Sequence, residues 1–228
     1  MRVMAIGDIH GCLRALDVLL AAVDLQPDDQ LVTLGDYVDR GPDSAGVLER
    51  LIGLKQTHQL VALRGNHDQM MVLSKQPFDN DALWLGCGGL ATLASYGPNA
   101  TLEDVPAQHW DFLENGLVDW HEIDTHFFVH ASVYADMPLA EQPAYMLLWE
   151  KLYEPVARHC SGKIMVCGHT QQRSGEPWNL EHAVCIDTWV YGEGWLTCLD
   201  VHSGKVWQAN QKGELRQAWL DDFPLQEI

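Results

Sequence analysis

Three short apolar runs divide the first third of this 228-residue chain, and each is followed at once by glycine or by arginine and glycine. The runs are RVMAI at 2–6, LVTL at 31–34 and LVAL at 60–63. Runs of this length, bounded by glycine, are typical of strands that are buried on both faces. Between them, apolar residues recur at spacings of three and four, which predicts amphipathic helices. The alternation predicts an α/β fold with a parallel sheet covered by helices.

The middle of the chain, from about 77 to 122, has a different character. It contains the glycine-rich stretch GCGG at 86–89, two prolines that break helices, and one helical candidate at 106–117. We interpret this region as a small helical cap that is inserted between strands and leaves one side of any site adjustable.

Strand patterns return at 126–130 and 163–169, and again from residue 183 onward, where two final strands are joined through HSG as a hairpin. The hydrophobic content of 47% and the length are sufficient for one sizeable core. We therefore expect residues 1–228 to form a single domain that carries the cap as an insertion.

The composition limits the classes of partner. The net charge of -18, from 32 acidic and 14 basic residues, argues against binding to nucleic acid or to an anionic membrane.

The six cysteines are scattered without a CxxC pair, so we expect reduced packing residues. The N-terminal apolar run is too short for a signal peptide, and no segment approaches membrane-spanning length. We expect a cytoplasmic protein without an obligate partner.

Short polar residues follow five of the predicted strands, at the point where each strand ends. In chain order they are Asp8, His10, Asp36, Asp39, Arg40, Asn66, His67, Asp68, His130 and His169. The carboxyl ends of the strands face the ligand crevice in open α/β sheets, so these side chains should converge. Taken singly, each has an ordinary explanation as a helix cap, a turn residue or a packing histidine. Their repetition at five strand ends favours a shared site.

The residue types at these strand ends indicate metal chemistry. Two aspartates, one asparagine and three histidines offer mixed oxygen and nitrogen ligands, which suit Mn, Fe or Zn better than Ca or Mg alone. Six such ligands suit two ions better than one. Two ions about 3.5–4 Å apart can bind two phosphate oxygens and lower the pKa of a bridging water. The predicted reaction is hydrolysis of a phosphate ester or anhydride.

Five ordered blocks resemble the signature blocks of the PPP-type metallophosphatases: GDIHG at 7–11, GDYVDRG at 35–41, RGNHD at 64–68, VHA at 129–131 and GHT at 168–170. Their wording is most similar to the bacterial and phage branch typified by the bacteriophage lambda phosphatase. The resemblance spans about residues 2–200. It implies a calcineurin-like metallophosphoesterase fold, in which β-sheets flanked by helices form a four-layer α/β sandwich.

The resemblance also implies the identity of the ligands to two divalent ions, with Mn as the first choice in vitro and Fe or Zn as alternatives. One ion would be held by Asp8, His10 and Asp36. The second would be held by Asp36, Asn66, His130 and His169, with Asp36 as the bridge between the two.

Three further roles follow from the same resemblance. His67, oriented by Asp39, would protonate the leaving oxygen as general acid. Arg40 would grip the phosphate as a planar donor, and Asn66 would contact the substrate as well as the metal. A hydroxide held between the ions would attack phosphorus in one step, so no covalent phosphoenzyme is needed. Arg64 is a weaker candidate, because a structural ion pair explains it equally well.

This sequence departs from the family pattern at a second phosphate-binding arginine, which the branch carries in a W..R phrase after the VHA block. The corresponding stretch, LLWEKLYE at 147–154, has Lys151 instead. A lysine keeps the charge but lacks the bidentate fork, so Lys151 is a candidate substrate contact and Arg158 an alternative. Trp189, Tyr191 and Trp195 could form an aromatic wall over the substrate, but we favour packing in the core.

The leading hypothesis is dephosphorylation of phosphoserine and phosphothreonine in a protein or peptide substrate. The alternative within the fold is hydrolysis of a dinucleoside polyphosphate such as diadenosine tetraphosphate, with the same metals. The phrase DYVDRG favours the phosphoprotein branch. A third hypothesis is a catalytically silent metal- or phosphate-binding module, which would be expected to lack a ligand or the acid. This chain has all of these residues.

Overall fold

The computed structural model describes residues 1–76 and 80–223. The first three residues of the predicted cap and the last five of the chain therefore lie outside the described part. The strands of the described residues are β1 (Val3–Ile6), β2 (Gln30–Thr33), β3 (Gln59–Ala62), β4 (Trp120–Glu122), β5 (His126–Val129), β6 (Ile164–Cys167), β7 (Trp178–Asn179), β8 (Ala183–Cys185), β9 (Leu196–Asp200), β10 (Lys205–Ala209) and β11 (Leu215–Trp219).

The helices of the same residues are between five and 14 residues long. They are α1 (Leu13–Val23), α2 (Ser44–Thr57), α3 (Asn66–Leu73), α4 (Asn80–Trp84), α5 (Leu90–Tyr96), α6 (Ala107–Asn115) and α7 (Ala144–Leu148). A π-helical turn, Leu85–Gly89, joins α4 to α5.

The first sheet has six strands in the order β11-β10-β9-β1-β2-β3. Strands β1, β2 and β3 pair in parallel, as the alternation of strands and helices predicted. Strands β9, β10 and β11 add an antiparallel half, which begins where β9 pairs with β1. The predicted hairpin is the β9–β10 pair. All the polar residues that follow β1, β2 and β3 consequently emerge at one edge of the parallel half.

The second sheet has five strands in the order β4-β5-β6-β8-β7 and packs face to face against the first. Side chains alternate between the two faces of β1, as the pleat requires. Val3 and Ala5 pack in the cluster between the sheets, together with Phe128 of β5. Met4 and Ile6 pack in the cluster that also contains residues of α1 and α2.

The outer layers complete the four-layer sandwich that the sequence predicted. Helix α1 buries Leu16 and Leu19 against the first sheet. Helix α2 begins after Asp43, whose side chain accepts a hydrogen bond from the amide of Gly46 at 2.8 Å and so caps the first turn. The outer face of the second sheet is covered by the segment that follows β5, including Leu147 of α7.

The region from residue 80 to 115 is helical and packs into the core. Trp84 and Phe112 are buried in the same apolar cluster as α1 and α2. The indole nitrogen of Trp84 donates to Oδ1 of Asp39 at 2.9 Å, which ties this region to the loop after β2. The region therefore forms a packed wall beside the strand ends.

Two further predictions concern the whole chain. All six cysteines are free thiols, and the four buried ones pack in the core as expected, whereas Cys87 is half-buried and Cys160 is exposed. Among residues 1–76 and 80–223, no helix has the length and apolar character needed to cross a bilayer.

Candidate metal centre

The polar strand ends of both sheets meet at one place. Two groups of side chains present ligand atoms that all lie within 4.8 Å of one another in the described residues. The first group is His10, Asp36 and His67, and the second is Asp36, His130 and His169. Asp36 belongs to both groups and is 2% exposed. The bridging role that the resemblance implies for Asp36 needs a residue common to both groups, and the role itself stays a prediction.

Backbone carbonyls select the tautomer of two of the histidines. Nδ1 of His10 lies 2.9 Å from the carbonyl oxygen of Val38, and Nδ1 of His130 lies 2.8 Å from that of Leu34. A carbonyl can only accept, so each Nδ1 carries the proton and each Nε2 presents a lone pair. Metal-binding histidines are commonly held in this way by a partner on the other ring nitrogen.

His169 uses the opposite tautomer. Its Nε2 lies 3.0 Å from the carbonyl oxygen of Trp149, which leaves Nδ1 as the free donor of a lone pair. Burial lowers the pKa of His169 to about 4 and that of His10 to about 3, and it also lowers the pKa of His130. All three rings are therefore neutral at physiological pH, which is the form that binds a metal.

The contacts around His130 test whether these residues fit a metal ion. Its unprotonated Nε2 lies 3.0 Å from Oδ1 of Asn66 and 3.5 Å from Oδ1 of Asp36. The other carboxylate oxygen of Asp36 lies 3.4 Å from Nε2 of His10. Lone pairs that face one another at such distances in a buried site repel unless a cation lies between them. The residues present therefore fit divalent cations.

Asp8 is placed differently from the expectation. Its carboxylate accepts hydrogen bonds from the backbone amide of His169, with Oδ2 at 3.1 Å, and Asp8 belongs to neither ligand group. The approach is close because Gly168 has no side chain: a Cβ there would lie 2.0 Å from Oδ1 of Asp8. Burial, together with the charges of Asp187 and Asp36, raises the pKa of Asp8. A ligand role for Asp8 stays a prediction.

His67 and Asp39 form the pair that the resemblance implied. Nδ1 of His67 lies 2.6 Å from Oδ2 of Asp39, and both side chains are buried. The other oxygen of Asp39 accepts hydrogen bonds from the indole of Trp84 at 2.9 Å and from the hydroxyl of Thr92 at 2.8 Å. Three donors thus hold one carboxylate, which orients the imidazole of His67.

Arg40 lies between the two histidines of the first group. Its guanidinium contacts Nε2 of His10 at 2.9 Å and Nε2 of His67 at 2.7 Å. The ring of Tyr191 lies 4.7 Å from the guanidinium carbon and meets the ring of His10 edge to face. The core interpretation of Tyr191 is therefore incomplete, because this half-buried side chain also forms a wall of the site.

The other basic candidates lie further from the ligand groups. Lys151 is exposed, and its charge adds to the effects of burial and of His130 that lower the pKa of His169. Arg64 pairs with Asp119 at 3.0 Å, which is the structural explanation that the sequence left open. Arg158 is exposed, and the structure gives it no contact with the site.

Asp68, in the RGNHD block, has a structural role that we did not predict from the sequence. It is 1% exposed and accepts hydrogen bonds at 2.9 Å from the amides of Asp36, Tyr37 and Gly65. These bonds join the loop after β2 to the start of α3. Asp68 therefore fixes the position of Asp36 relative to the third block.

Several side chains of the site stand on left-handed backbone, which L-residues seldom adopt. The φ angles are 45° at His10, 52° at Asp36, 73° at Asp39, 69° at Arg40 and 60° at His169. Each such position costs about 1–2 kcal/mol relative to right-handed backbone. Positions of this kind cluster at functional sites, where the surrounding structure enforces them.

A family model of the calcineurin-like phosphoesterases matches residues 1–194 of the chain. The chain belongs to this family. Calcineurin-like phosphoesterases use a dinuclear divalent metal centre, and the two ligand groups that share Asp36 have the arrangement such a centre needs. The family relationship confirms the metallophosphoesterase assignment that the sequence blocks implied.

Two curated relatives of this phosphoesterase have different names. The serine/threonine-protein phosphatase 1 of Salmonella typhimurium is 42% identical over 88 residues, which are 38% of each chain. The symmetrical bis(5'-nucleosyl)-tetraphosphatase of Janthinobacterium sp. is 33% identical over 152 residues, which are 63% of this chain and 48% of that protein. The matched part is less than half the length of either relative.

Solved structures confirm the fold of this phosphoesterase. A proposed diadenosine tetraphosphatase has a TM-score of 0.65 at 23% identity, over 96% of this chain and 93% of that one. The cold-active protein-tyrosine phosphatase of a Shewanella species has a TM-score of 0.63 at 18% identity, over 95% and 80%. At these identities the likeness concerns the fold alone.

Proposed function

We propose that this phosphoesterase hydrolyses phosphomonoesters and that its preferred substrates are phosphoserine and phosphothreonine side chains of proteins. The observation that carries the proposal is the pair formed by His67 and Asp39, whose nearest atoms are 2.6 Å apart. This pair aims Nε2 of His67 toward Arg40, at the edge of the ligand groups. Nε2 accepts from Arg40 here, so this imidazole can carry a proton and deliver it to a departing oxygen once Arg40 donates to phosphate instead.

The rate acceleration that this proton transfer gives depends on the leaving group. A serine or threonine oxygen departs as a strongly basic alkoxide, so its departure needs a proton in the transition state. A nucleotide departs from a polyphosphate as a stable phosphate anion, which needs little help. A histidine that is oriented by a buried, triply hydrogen-bonded carboxylate therefore accelerates phosphomonoester hydrolysis more than anhydride hydrolysis.

The predicted ligands would bind the cations, and Arg40 would bind the phosphate. When bound, divalent cations neutralise phosphate charge and make a water nucleophilic at neutral pH. Mn is the cation we propose, with Fe or Zn as alternatives, held by His10, Asp36, Asn66, His130 and His169 and, as the resemblance implies, Asp8. Nε2 of His10 has one lone pair, so it can accept from Arg40 or bind a cation but cannot do both. Arg40 released from His10 is free to donate to phosphate oxygens.

Membership of the bacterial and phage protein phosphatase branch is part of the same proposal. The five sequence blocks support it, and the Salmonella typhimurium relative carries the name of a serine/threonine phosphatase. Lys151 is the proposed second phosphate contact, because its charge acts on His169. A phosphorylated protein or peptide is accordingly the proposed partner.

Hydrolysis of symmetrical dinucleoside tetraphosphates is the second candidate. Besides the Janthinobacterium protein, a symmetrical bis(5'-nucleosyl)-tetraphosphatase of Acidovorax sp. is 48% identical over 69 residues, which are 30% of this chain and 24% of that protein. The same metal ligands would serve this reaction. The two candidates differ in the leaving group and in the groups that surround the phosphate.

The test compares kcat/KM for a phosphoserine peptide and for diadenosine tetraphosphate, on one preparation stripped of metal and reloaded with Mn. We expect the peptide to be the better substrate. A better rate on the dinucleotide would keep the reaction class and overturn the substrate class. No turnover of either, with metal content verified, would favour the silent binding module.

A further inference from the structure

A cavity of about 240 Å³ lies on the outer face of the second sheet, outside the ligand groups. Two of the residues that line it are connected to predicted ligands, one along the chain and one through a hydrogen bond. Ser132 lines it two residues after His130, and Leu152 lines it while donating its amide to the hydroxyl of Thr170 at 2.9 Å. Thr170 follows His169 directly. One end of the cavity is therefore close to the second group of ligands.

The interior of the cavity is apolar. Its lining includes Phe127, Met146, Leu152, Val156, Met165 and Ala183. Two histidines also line it, and three of their four ring nitrogens have partners within the protein. His159 contacts the carbonyl of Met137 at 2.9 Å and the hydroxyl of Ser161 at 2.8 Å, and His182 contacts the carbonyl of Val156 at 2.8 Å.

This lining discriminates between two kinds of occupant. A nucleobase carries several ring nitrogens and exocyclic groups, and burial leaves each of them unsatisfied unless the wall supplies a partner. Three of the four imidazole nitrogens are already engaged within the protein, which leaves Nδ1 of His182 and the hydroxyl of Ser132 as the few partners that the interior offers. An aliphatic or aromatic side chain needs no such partner. The interior therefore fits an apolar side chain better than a base.

The rim of the cavity carries exposed aromatic side chains. Tyr134 is 47% exposed and Tyr153 is 66% exposed, and Lys151 lies on the same rim. Tyr145 and Trp149, from the same part of the chain, are also exposed. Tyrosine and tryptophan at a surface are typical of binding sites for peptides and proteins. Glu150 lines the cavity next to Lys151, so the phosphate of a partner would have to face the lysine side of the rim.

We propose that this cavity is a specificity subsite for an aliphatic or aromatic side chain near the phosphoresidue of a peptide substrate. The inference rests on the proposed function, because it names a feature of the substrate for that reaction. An extended peptide advances about 3.3–3.6 Å per residue, so a neighbour of the phosphoresidue can reach a cavity next to His130 and His169. An apolar cavity of roughly 150 Å³ holds a benzene ring, so this one accommodates leucine or phenylalanine.

The experiment uses the Mn-loaded protein and phosphoserine peptides that carry leucine or glycine at each neighbouring position in turn. At one position we expect leucine to give about tenfold or higher kcat/KM than glycine, the effect of burying one such side chain. The filling variant is Ala157→Trp, at an exposed position on the cavity wall. The matched control is Ala21→Trp, on the exposed side of α1.

The ratio of the leucine and glycine rates is the readout, because a uniform change in rate does not move it. Ala157→Trp should bring the ratio close to one, and Ala21→Trp should leave it unchanged. Equal rates for the two peptides in the native protein, or an unchanged ratio in a folded Ala157→Trp variant, would overturn the subsite.

A second measurement separates the subsite from the proposed reaction. Peptides with a non-hydrolysable phosphonate in place of the phosphate are titrated calorimetrically into the same proteins. We expect the leucine peptide to bind about tenfold more tightly, with a more negative heat-capacity change. That preference without any turnover would keep the subsite and overturn the phosphatase proposal. Loss of diadenosine tetraphosphate affinity in Ala157→Trp, with peptide affinity unchanged, would instead identify a nucleobase subsite.

Discussion

Left-handed backbone serves two different purposes in the two halves of the first sheet. In the antiparallel half, the turns between β9, β10 and β11 use glycine, with φ of 77° at Gly204 and 86° at Gly213. In the parallel half, the loops after β1 and β2 place His10 and Asp36 on the same kind of backbone. Glycine adopts this conformation without steric cost, whereas an L-residue does not.

The difference shows that the loops of the parallel half accept a local conformational cost in order to position the side chains of the site. A hairpin turn only has to reverse the direction of the chain and presents no functional side chain, so glycine is sufficient. The loop after β1 must deliver an imidazole, and the surrounding structure holds it in place. The amides of Ile9 and His10 both donate to the carbonyl of Asp36, at 3.1 and 2.7 Å. Bonds between the two loops offset the cost that each loop carries alone.

The largest effect is expected at the residue common to both ligand groups. Asp36→Asn keeps the shape of the side chain and removes its charge. We expect loss of bound Mn and a fall in kcat/KM beyond the roughly 10–100-fold that follows removal of groups which only orient ligands. Mn should raise the unfolding midpoint of the native protein by mass action and have little effect on the variant.

Asp124→Asn, at an exposed position, is the control for that substitution. It should retain both the metal content and the rate of the native protein. An Asp36→Asn variant that kept both metals and full activity would show that these loops are shaped for something other than the metal centre.

The next effect tests the role of the His67 and Asp39 pair. His67→Gln should lower kcat for a phosphoserine peptide by about 10²–10⁴-fold, the usual value of general acid catalysis. It should lower the rate on p-nitrophenyl phosphate much less, because nitrophenolate departs without a proton. Metal content is measured in parallel, and His202→Gln, at an exposed position, is the control. Equal losses on both substrates would contradict an acid role.

A smaller loss is expected at a glycine of the site. Gly168→Ala introduces a Cβ that would lie 2.0 Å from Oδ1 of Asp8, so this carboxylate must leave the amide of His169. We expect roughly a 10–100-fold loss of kcat/KM, as for other groups that position ligands. Gly53→Ala, with nothing within 4 Å, should not change the rate. Full activity of Gly168→Ala would mean that the position of Asp8 is unimportant.

The smallest effect is expected in the antiparallel half. At Gly204 a Cβ would make only an ordinary contact, 3.8 Å from Cβ of Leu220, so the cost of Gly204→Ala is that of left-handed backbone. We expect the free energy of unfolding to fall by about 1 kcal/mol. The rate should not change. Denaturant titration measures the free energy of unfolding, and kcat/KM is measured on the same sample. A loss of activity would show that the turns of the antiparallel half also matter for the site.

Short local patterns were enough to predict much of the fold. The apolar runs that became β1 and β2 are buried on both faces, so they are visible as continuous hydrophobic segments, and the edge strand β3 is partly buried. We missed β4, β7 and β11 for physical reasons. Strands β4 and β7 have only three and two residues, and the edge strand β11 is mostly exposed. None of the three presents a hydrophobic period long enough to detect.

The sequence by itself determined which chemical groups stand at the strand ends, because a parallel sheet brings those ends to one edge whatever the intervening loops contain. Only the tertiary structure decided how the groups face one another. The grip of Trp84 and Thr92 on Asp39 and the contact of Tyr191 with Arg40 join residues that are about 45 to 150 positions apart. The hydrogen bond from the amide of His169 to Asp8 joins residues that are 161 positions apart. Such contacts depend on how layers pack, and no local period encodes that.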